Sequence, residues 1–389
     1  MLKVKTLFSF FIFVLFFSCD NKKYISFELT ESNRIILNAT VNGKSGRFFL
    51  DTGSSFSQFD CDFGNLDFSH KHFASFPFLD AREELNFYYL PEVIIDNVRL
   101  KSISEIARTT EDLRNQLLEP EGLDGVLGIN VFAGFYTEIS FSKDKIILHK
   151  KKPTQFEKSV PVNLESNYFC VSVDIDGKQA PFIIDTGAPG GIYFPPTSIR
   201  GKMKNEYVRI LLPKRQNILV KTREVYLVKT NKISVFDDIF ENKIIVTNSP
   251  WRFDANISTS RGMLGVEFLK NYDLLFDFTN LPFSTSALYY KNINAERDEK
   301  ELFLSEETSE RILASGIYSF YRTPEGITLG IIAGSVLNVE YGITEKTVIT
   351  KIDGKPAQRI SDAALREMDI SKVKDFTVLE RRERIIALN

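Results

Sequence analysis

The sequence predicts a mainly β protein made of two copies of one β-unit, followed by a smaller β-containing domain. Three observations point there. First, Arg47-Phe48-Phe49-Leu50-Asp51-Thr52-Gly53-Ser54-Ser55 is an apolar run ending in a carboxylate, a hydroxyl and a glycine, the pattern of a buried strand giving way to a turn. Second, Phe182-Ile183-Ile184-Asp185-Thr186-Gly187-Ala188 repeats it 134 positions later. Third, Asp124-Gly125-Val126-Leu127-Gly128-Ile129-Asn130 is echoed by Arg261-Gly262-Met263-Leu264-Gly265-Val266-Glu267. One tripeptide arises easily by chance; several features repeated in the same order do not.

Residues 1–23 read as an export segment. Lys3 and Lys5 precede the apolar stretch Leu7 to Phe17, which is short for a membrane span. Ser18-Cys19 follows, and the segment resembles a bacterial lipoprotein signal over residues 1–18. That resemblance implies cleavage before Cys19 and a lipid anchor on it, hence a cell-envelope location. The first unit spans 24–152. Ile36 to Val41 forms a strand, Asn42-Gly43 a two-residue hairpin turn, and the next strand ends at Asp51. An unpartnered carboxylate there would be costly, so Asp51 should have partners or a task. Phe76 to Asp96 reads as strand, polar turn at residues 80–84, strand. Thr109 to Glu121 reads as a helical or mobile connection, and Phe135 to Phe141 as an aromatic-rich strand.

Pro153 to Val160 links to the second unit, 160–290. Its Cys170 to Ile175 strand, Asp176-Gly177 turn and strand to Asp185 match the first unit at the same offset. A hairpin is expected over Tyr207 to Val220, with Pro213 to Asn217 at its tip. Tyr272 to Phe278 is the second aromatic-rich strand. Trp251 reads as packing. Residues 291–311, rich in charged and amide side chains, read as a linker that becomes helical near its end. The last domain spans 312–389, with a helix over Ile360 to Met368 and final strands at Phe376 to Leu379 and Ile385 to Leu388.

The paired Asp-Thr-Gly and apolar-apolar-Gly motifs resemble the aspartic peptidases that carry two lobes in one chain, over residues 24–290. The resemblance implies a two-lobed acid-protease-type β-barrel fold in which Asp51 and Asp185 form one catalytic dyad. It implies that Thr52 and Thr186 lock the two loops, that Gly53 and Gly187 complete them, and that the strands ending at Gly128 and Gly265 cross beneath. A hydroxyl at Ser54 would donate to Asp51, whereas Ala188 cannot do the same for Asp185; this makes Asp51 the better-stabilised anion. The 76–96 hairpin takes the place of a flap, with Tyr88 or Tyr89 as its tyrosine, although it contains no glycine. The run Gly330 to Pro356 looks like a bacterial PDZ domain, which implies a C-terminal peptide ligand and a carboxylate loop at Ser315-Gly316-Ile317-Tyr318.

Composition narrows the chemistry. A net charge of −2 gives no nucleic-acid footprint. Three scattered histidines make no zinc set; His70 and His72 lack completing ligands, so no metal and no cofactor are expected. Three cysteines make no disulfide framework, and Cys61 and Cys170 read as small buried residues or, in an oxidising compartment, as a pair. The expected activity is that of an exported, membrane-anchored aspartic endopeptidase acting on peptides or proteins. The competing expectation is a catalytically weak, peptide-binding lipoprotein.

Overall fold

The computed structural model is mainly β, with curled sheets. It describes residues 22–389 apart from 61–62, 64–65, 67–69, 77–80, 110, 112–113, 166–167, 200, 203–205, 214–223, 249–260, 281–286, 295–298, 300–301, 367, 369–371, 380–382 and 389. Lys23, the last residue of the expected export segment, begins the strand Lys23–Ser26; residues 1–21 with Cys19, together with Cys61 and Trp251, lie outside the described residues. Among those residues no helix is long and apolar enough to cross a membrane.

The two sequence repeats fold alike. In the first, β1 (Ile35–Val41) and β2 (Lys44–Leu50) form an antiparallel hairpin, and β2 runs parallel to β3 (Gly125–Leu127). In the second, β4 (Tyr168–Ile175) and β5 (Lys178–Ile184) form the hairpin. An antiparallel ribbon of β6 (Tyr207–Leu211) and β7 (Glu224–Val235) follows, and β8 (Gly262–Leu264) lies parallel to β5. The hairpin turns have positive φ at both central residues: 49° and 80° at Asn42-Gly43, 52° and 78° at Asp176-Gly177. A two-residue turn between right-twisted strands needs that pair of angles, and Asn, Asp and Gly tolerate them.

The continuous apolar runs before each Asp have a simple cause. Phe48 and Leu50 point into the main core, while Phe49 joins Ile36, Leu118, Leu123 and Val126 on the opposite side. A strand buried on both faces does not alternate. The two aromatic-rich strands meet: Tyr136–Ser140 pairs antiparallel with Tyr272–Asp277, Ile139 opposite Leu274. They form the centre of a six-stranded sheet shared by both repeats, and one buried apolar cluster runs through the two halves.

One expected turn is displaced. In the first repeat the strand His70–Phe76 pairs with Ala81–Ile95, Phe76 opposite Ala81 and Ser75 opposite Arg82. Ala81 and the charged residues Arg82 to Glu84 therefore belong to the strand, and residues 77–80 lie outside the described residues. Backbone pairing along a long ribbon outweighs the turn preference of a polar stretch. In the second repeat Leu211 lies opposite Glu224, and residues 214–217 of the expected tip lie outside the described residues. The segment before Glu121 does form short helical turns, over Arg114–Leu118 and Glu119–Glu121.

The C-terminal part has its own apolar cluster, which includes Ile327, Leu329, Ile349, Phe376 and Val378. Helix α1 (Glu306–Ser315) starts at Ser305, whose Oγ accepts from the Thr308 amide, a hydroxyl cap. Strand β9 (Ile317–Arg322) then pairs with β10 (Ile327–Ile332). Helix α2 (Asp362–Arg366) packs across β9, with Arg322 Nε donating to Asp362 Oδ1 at 2.7 Å. Two last strands, Asp375–Leu379 and Glu383–Ala387, close this sheet. The unit is joined to the second repeat by a strand pairing: β6 adds to β10, Ile210 opposite Ile332 and Leu211 opposite Ile331.

Candidate active site

The two Asp-Thr-Gly loops sit back to back. Each begins where a buried strand ends, and each first amide is held by the crossing strand: Asp51 N–H donates to Leu127 O at 2.9 Å, Asp185 N–H to Leu264 O at 3.0 Å. Beneath them lie Gly128 and Gly265. A Cβ on Gly128 would fall 2.5 Å from Phe56 O, and one on Gly265 would fall 2.2 Å from Gly190 O. Only glycine lets these backbones approach so closely.

The threonines join the loops reciprocally. Thr52 N–H donates to Thr186 Oγ1 at 3.0 Å, and Thr186 N–H donates to Thr52 Oγ1 at 3.1 Å. Each hydroxyl then donates to the opposite strand end, Thr52 to Ile184 O at 2.8 Å and Thr186 to Leu50 O at 2.9 Å. Both threonines are buried. Four hydrogen bonds among buried groups fix the distance between the strand ends.

That lock brings the carboxyls together. A Cβ on Gly53 would lie 2.7 Å from Asp185 Cγ, and one on Gly187 would lie 2.6 Å from Asp51 Cγ. Two carboxyls this close repel one another when both are ionised, so the pair favours holding one proton between them. Both residues are half-buried.

The two carboxyls are not equivalent. Asp185 Oδ1 accepts from the Gly187 amide at 2.8 Å and the Ala188 amide at 3.1 Å. Asp51 Oδ1 is enclosed and has no hydrogen-bond partner, although the Gly53 and Ser54 amides lean toward the carboxyl. Burial, the charge of Asp185 and the shared hydrogen bond hold Asp51 well above the ordinary carboxylate range. Burial raises Asp185 as well, against the opposing pull of the Asp51 hydrogen bond, its two amides and the Arg34 guanidinium. The expected Ser54 interaction is absent: Ser54 Oγ donates to Phe56 O at 2.6 Å. Asp51 therefore lacks the hydroxyl donor expected from sequence, while Asp185 Oδ1 keeps two amide donors.

Several residues around the pair were not singled out in the sequence. Arg34 donates to Gly187 O at 3.3 Å and to Glu121 Oε1 at 2.8 Å. Tyr193 OH accepts from the Gly190 amide at 3.0 Å, and burial raises its phenol. Tyr168 stands by Asp51, its phenol pushed up to about 12 by burial and then by the Asp51 charge. The Arg261 guanidinium lies 5.7 Å from the Tyr168 ring centre. A sequence signal existed for two of them, since Arg34 and Tyr168 share the 134-residue offset of the two Asp residues.

Other expected sites fare differently. Gly316 and Ile317, placed in a carboxylate-binding loop, have their amides engaged within the chain: Gly316 N–H donates to Ile312 O, and Ile317 N–H to Ser315 Oγ at 3.1 Å. Gly316, with φ of 72°, ends α1 as a left-handed cap, so the loop is a helix stop and not an anion cradle. His70 and His72 share one strand, but their side chains lie outside the described residues. Among the described residues no group of three or more His, Cys, Asp or Glu side chains could hold a metal ion. Cys170 is buried. Tyr88 is half-buried on the long ribbon strand, and the side chain of Tyr89 lies outside the described residues.

The sequence matches no protein-family model and no curated protein.

Proposed function

We propose that this protein is an aspartic endopeptidase of the two-lobed, acid-protease type. The observation that supports it is the threonine-locked pair of carboxyls, built twice over from Asp-Thr-Gly and brought together across the junction of two repeats. Such a pair does acid and base work at one place. The ionised carboxyl takes a proton from a water, whose oxygen bonds to the peptide carbonyl carbon. The protonated carboxyl gives its proton to the carbonyl oxygen, producing a neutral gem-diol. The C–N bond then breaks as the first carboxyl passes its proton to the nitrogen. The second carboxyl recovers a proton from a diol hydroxyl, leaving one acid, one amine and the starting pair.

The remaining parts of the reading rest on sequence. Cys19 would carry the lipid that tethers the enzyme in the cell envelope, and residues 312–389 would form a PDZ-like unit. In that unit the outer edge of β9 beside α2 is the place for an extended peptide to add as a strand.

The test is cleavage of a peptide library by the full chain from acid to neutral pH, beside Asp51→Asn and Asp185→Asn. Cleavage by the wild type and its loss in either variant is the expected result. Retained binding of extended peptides with no cleavage at any pH would replace the enzyme by a peptide-binding lipoprotein.

A further inference from the structure

The duplicated loops make matching threonine hydrogen bonds, so the source of the inequality between their carboxyls is to be sought where the two repeats differ. The repeat extends upstream of the strands already aligned. Glu31-Ser32-Asn33 and Glu165-Ser166-Asn167 are identical at the 134-residue offset, and each leads into the first hairpin of its repeat. The next position departs: Arg34 in one repeat, Tyr168 in the other.

Arg34 reaches across the junction. Its Nη1 donates to the carbonyl of Gly187, and the N–H of that same peptide unit, contributed by Ala188, donates to Asp185 Oδ1. The guanidinium, the Gly187–Ala188 peptide and the carboxylate thus form one polarised chain in which each bond strengthens the next. Arg34 is itself positioned, by Glu121 at 2.8 Å and by the face of Phe49, 5.3 Å to the ring centre; its side chain is 12% exposed. The position beside Asp51 holds the neutral phenol of Tyr168. On that side the carboxyl oxygen Asp51 Oδ1 is left with no donor.

We propose that Arg34 is a positioning residue that breaks the symmetry of the pair: by gripping the Gly187–Ala188 peptide it aims that loop's amides at Asp185. This keeps Asp185 the resting anion and leaves Asp51 to carry the shared proton. Under the endopeptidase reading, on which this assignment of roles rests, Asp185 activates the water and Asp51 protonates the carbonyl oxygen. Among the described residues, the charged or titratable groups around the pair include Arg34 and Glu121 from the first repeat, and Tyr168, Tyr193 and Arg261 from the second. Arg34 is a cation bonded to the loop of one carboxyl.

The experiment is a carboxyl-carbon NMR titration of the full chain labelled at aspartate Cγ, with the two signals assigned by Asp51→Asn and Asp185→Asn. It is run on wild type, Arg34→Gln, Arg34→Lys and Glu121→Gln. In wild type Asp185 should ionise first. Arg34→Gln should raise its midpoint by roughly one pH unit, the low end of the effect of a nearby opposite charge. Arg34→Lys should recover at least half of that shift. Glu121→Gln leaves the cation in place, so it should not raise the Asp185 midpoint, and it keeps the test decisive if Arg34→Gln misfolds.

Asp51 ionising first, an Arg34→Gln midpoint equal to wild type, an Arg34→Lys shift as large as Arg34→Gln, or an upward shift in Glu121→Gln would each overturn the proposal. So would ordinary, independent titration of both carboxyls. The expected titration in a protein that cleaves no peptide would refute the endopeptidase reading and support this one, since the measurement does not use catalysis.

Discussion

Replacing Thr52 by Val tests the lock between the repeats directly. Valine matches threonine in shape but lacks the hydroxyl, so it loses the donor to Ile184 O and the acceptor for the Thr186 amide. The first loss costs about 1 kcal/mol, a typical net value for one hydrogen bond. The second leaves a buried amide unpaired, which costs roughly 1–3 kcal/mol. Together they predict a loss of about 2–4 kcal/mol, far above the ordinary scatter of a conservative substitution. Thr52→Ser keeps both hydrogen bonds and gives up one methyl group, for about 0.8 kcal/mol. The assay is urea unfolding followed by circular dichroism, with amide exchange at Thr186 as a local readout. The midpoint should fall at constant denaturant slope, and the Thr186 amide should lose protection in Val but not in Ser. A Val variant within about 0.5 kcal/mol of wild type, with the Thr186 amide still protected, would refute the view that these hydroxyls hold the loops together.

Other outcomes follow from single contacts. Gly187→Ala puts a methyl 2.6 Å from Asp51 Cγ; the carboxyls must part, and kcat/KM should drop by roughly 100-fold or more. Gly43→Ala meets nothing within 4 Å but sits at φ +80°, so it should cost about 1 kcal/mol of stability and leave kcat/KM unchanged. Because Asp51 is raised in the folded state, the folded protein holds a proton that the unfolded chain releases. Its contribution is therefore intact below the unfolded value near 4 and turns increasingly unfavourable as pH rises above it. Unfolding of Asp51→Asn and wild type should agree at about pH 3, with Asn the more stable by pH 7. Asp176 behaves oppositely. Burial would raise its carboxyl, but the Lys202 ammonium and the amides of Lys232 and Asn231 outweigh that and lower it. Asp176→Asn should cost roughly 2 kcal/mol near neutral pH, the scale of a charged hydrogen bond. The loss should shrink as pH falls below 3.8, through the lowered value.

The parts of this structure legible in the sequence are those written in local chemistry. Asn42-Gly43 and Asp176-Gly177 announce two-residue turns because few other pairs accept positive φ at both positions. The apolar runs before Asp51 and Asp185 announce buried strands, and their repetition announces two units. What was not legible depends on distant partners. Arg34 donates to Gly187, 153 positions away, and its one trace in the sequence, the departure from the repeat at its position, shows only when the two copies are laid side by side. Ser54 was read as a donor to Asp51, but a nearer acceptor, the carbonyl of Phe56, lies within its own turn. Ala81 to Glu84 look like a turn because they are polar, yet strand pairing with Phe76 to Phe73 absorbs them. Gly316 looked like an anion loop and is the end of a helix; both uses favour glycine, and only the hydrogen bonds tell them apart.

The pairing of β6 with β10 bears on how the chain can be divided. Ile210, Val225 and Leu227 from the second repeat share a buried cluster with Ile312, and Tyr318 and Ile332 pack against it. One strand edge therefore serves two units. A chain shortened before residue 305 would bare an apolar seam alongside the unpaired N–H and C=O groups of β6, the surface on which proteins associate edge to edge. Poor solubility of such a fragment would then reflect an opened joint and would carry no information about whether either repeat can fold, whereas a cut that replaces the seam residues with polar ones would separate the two questions.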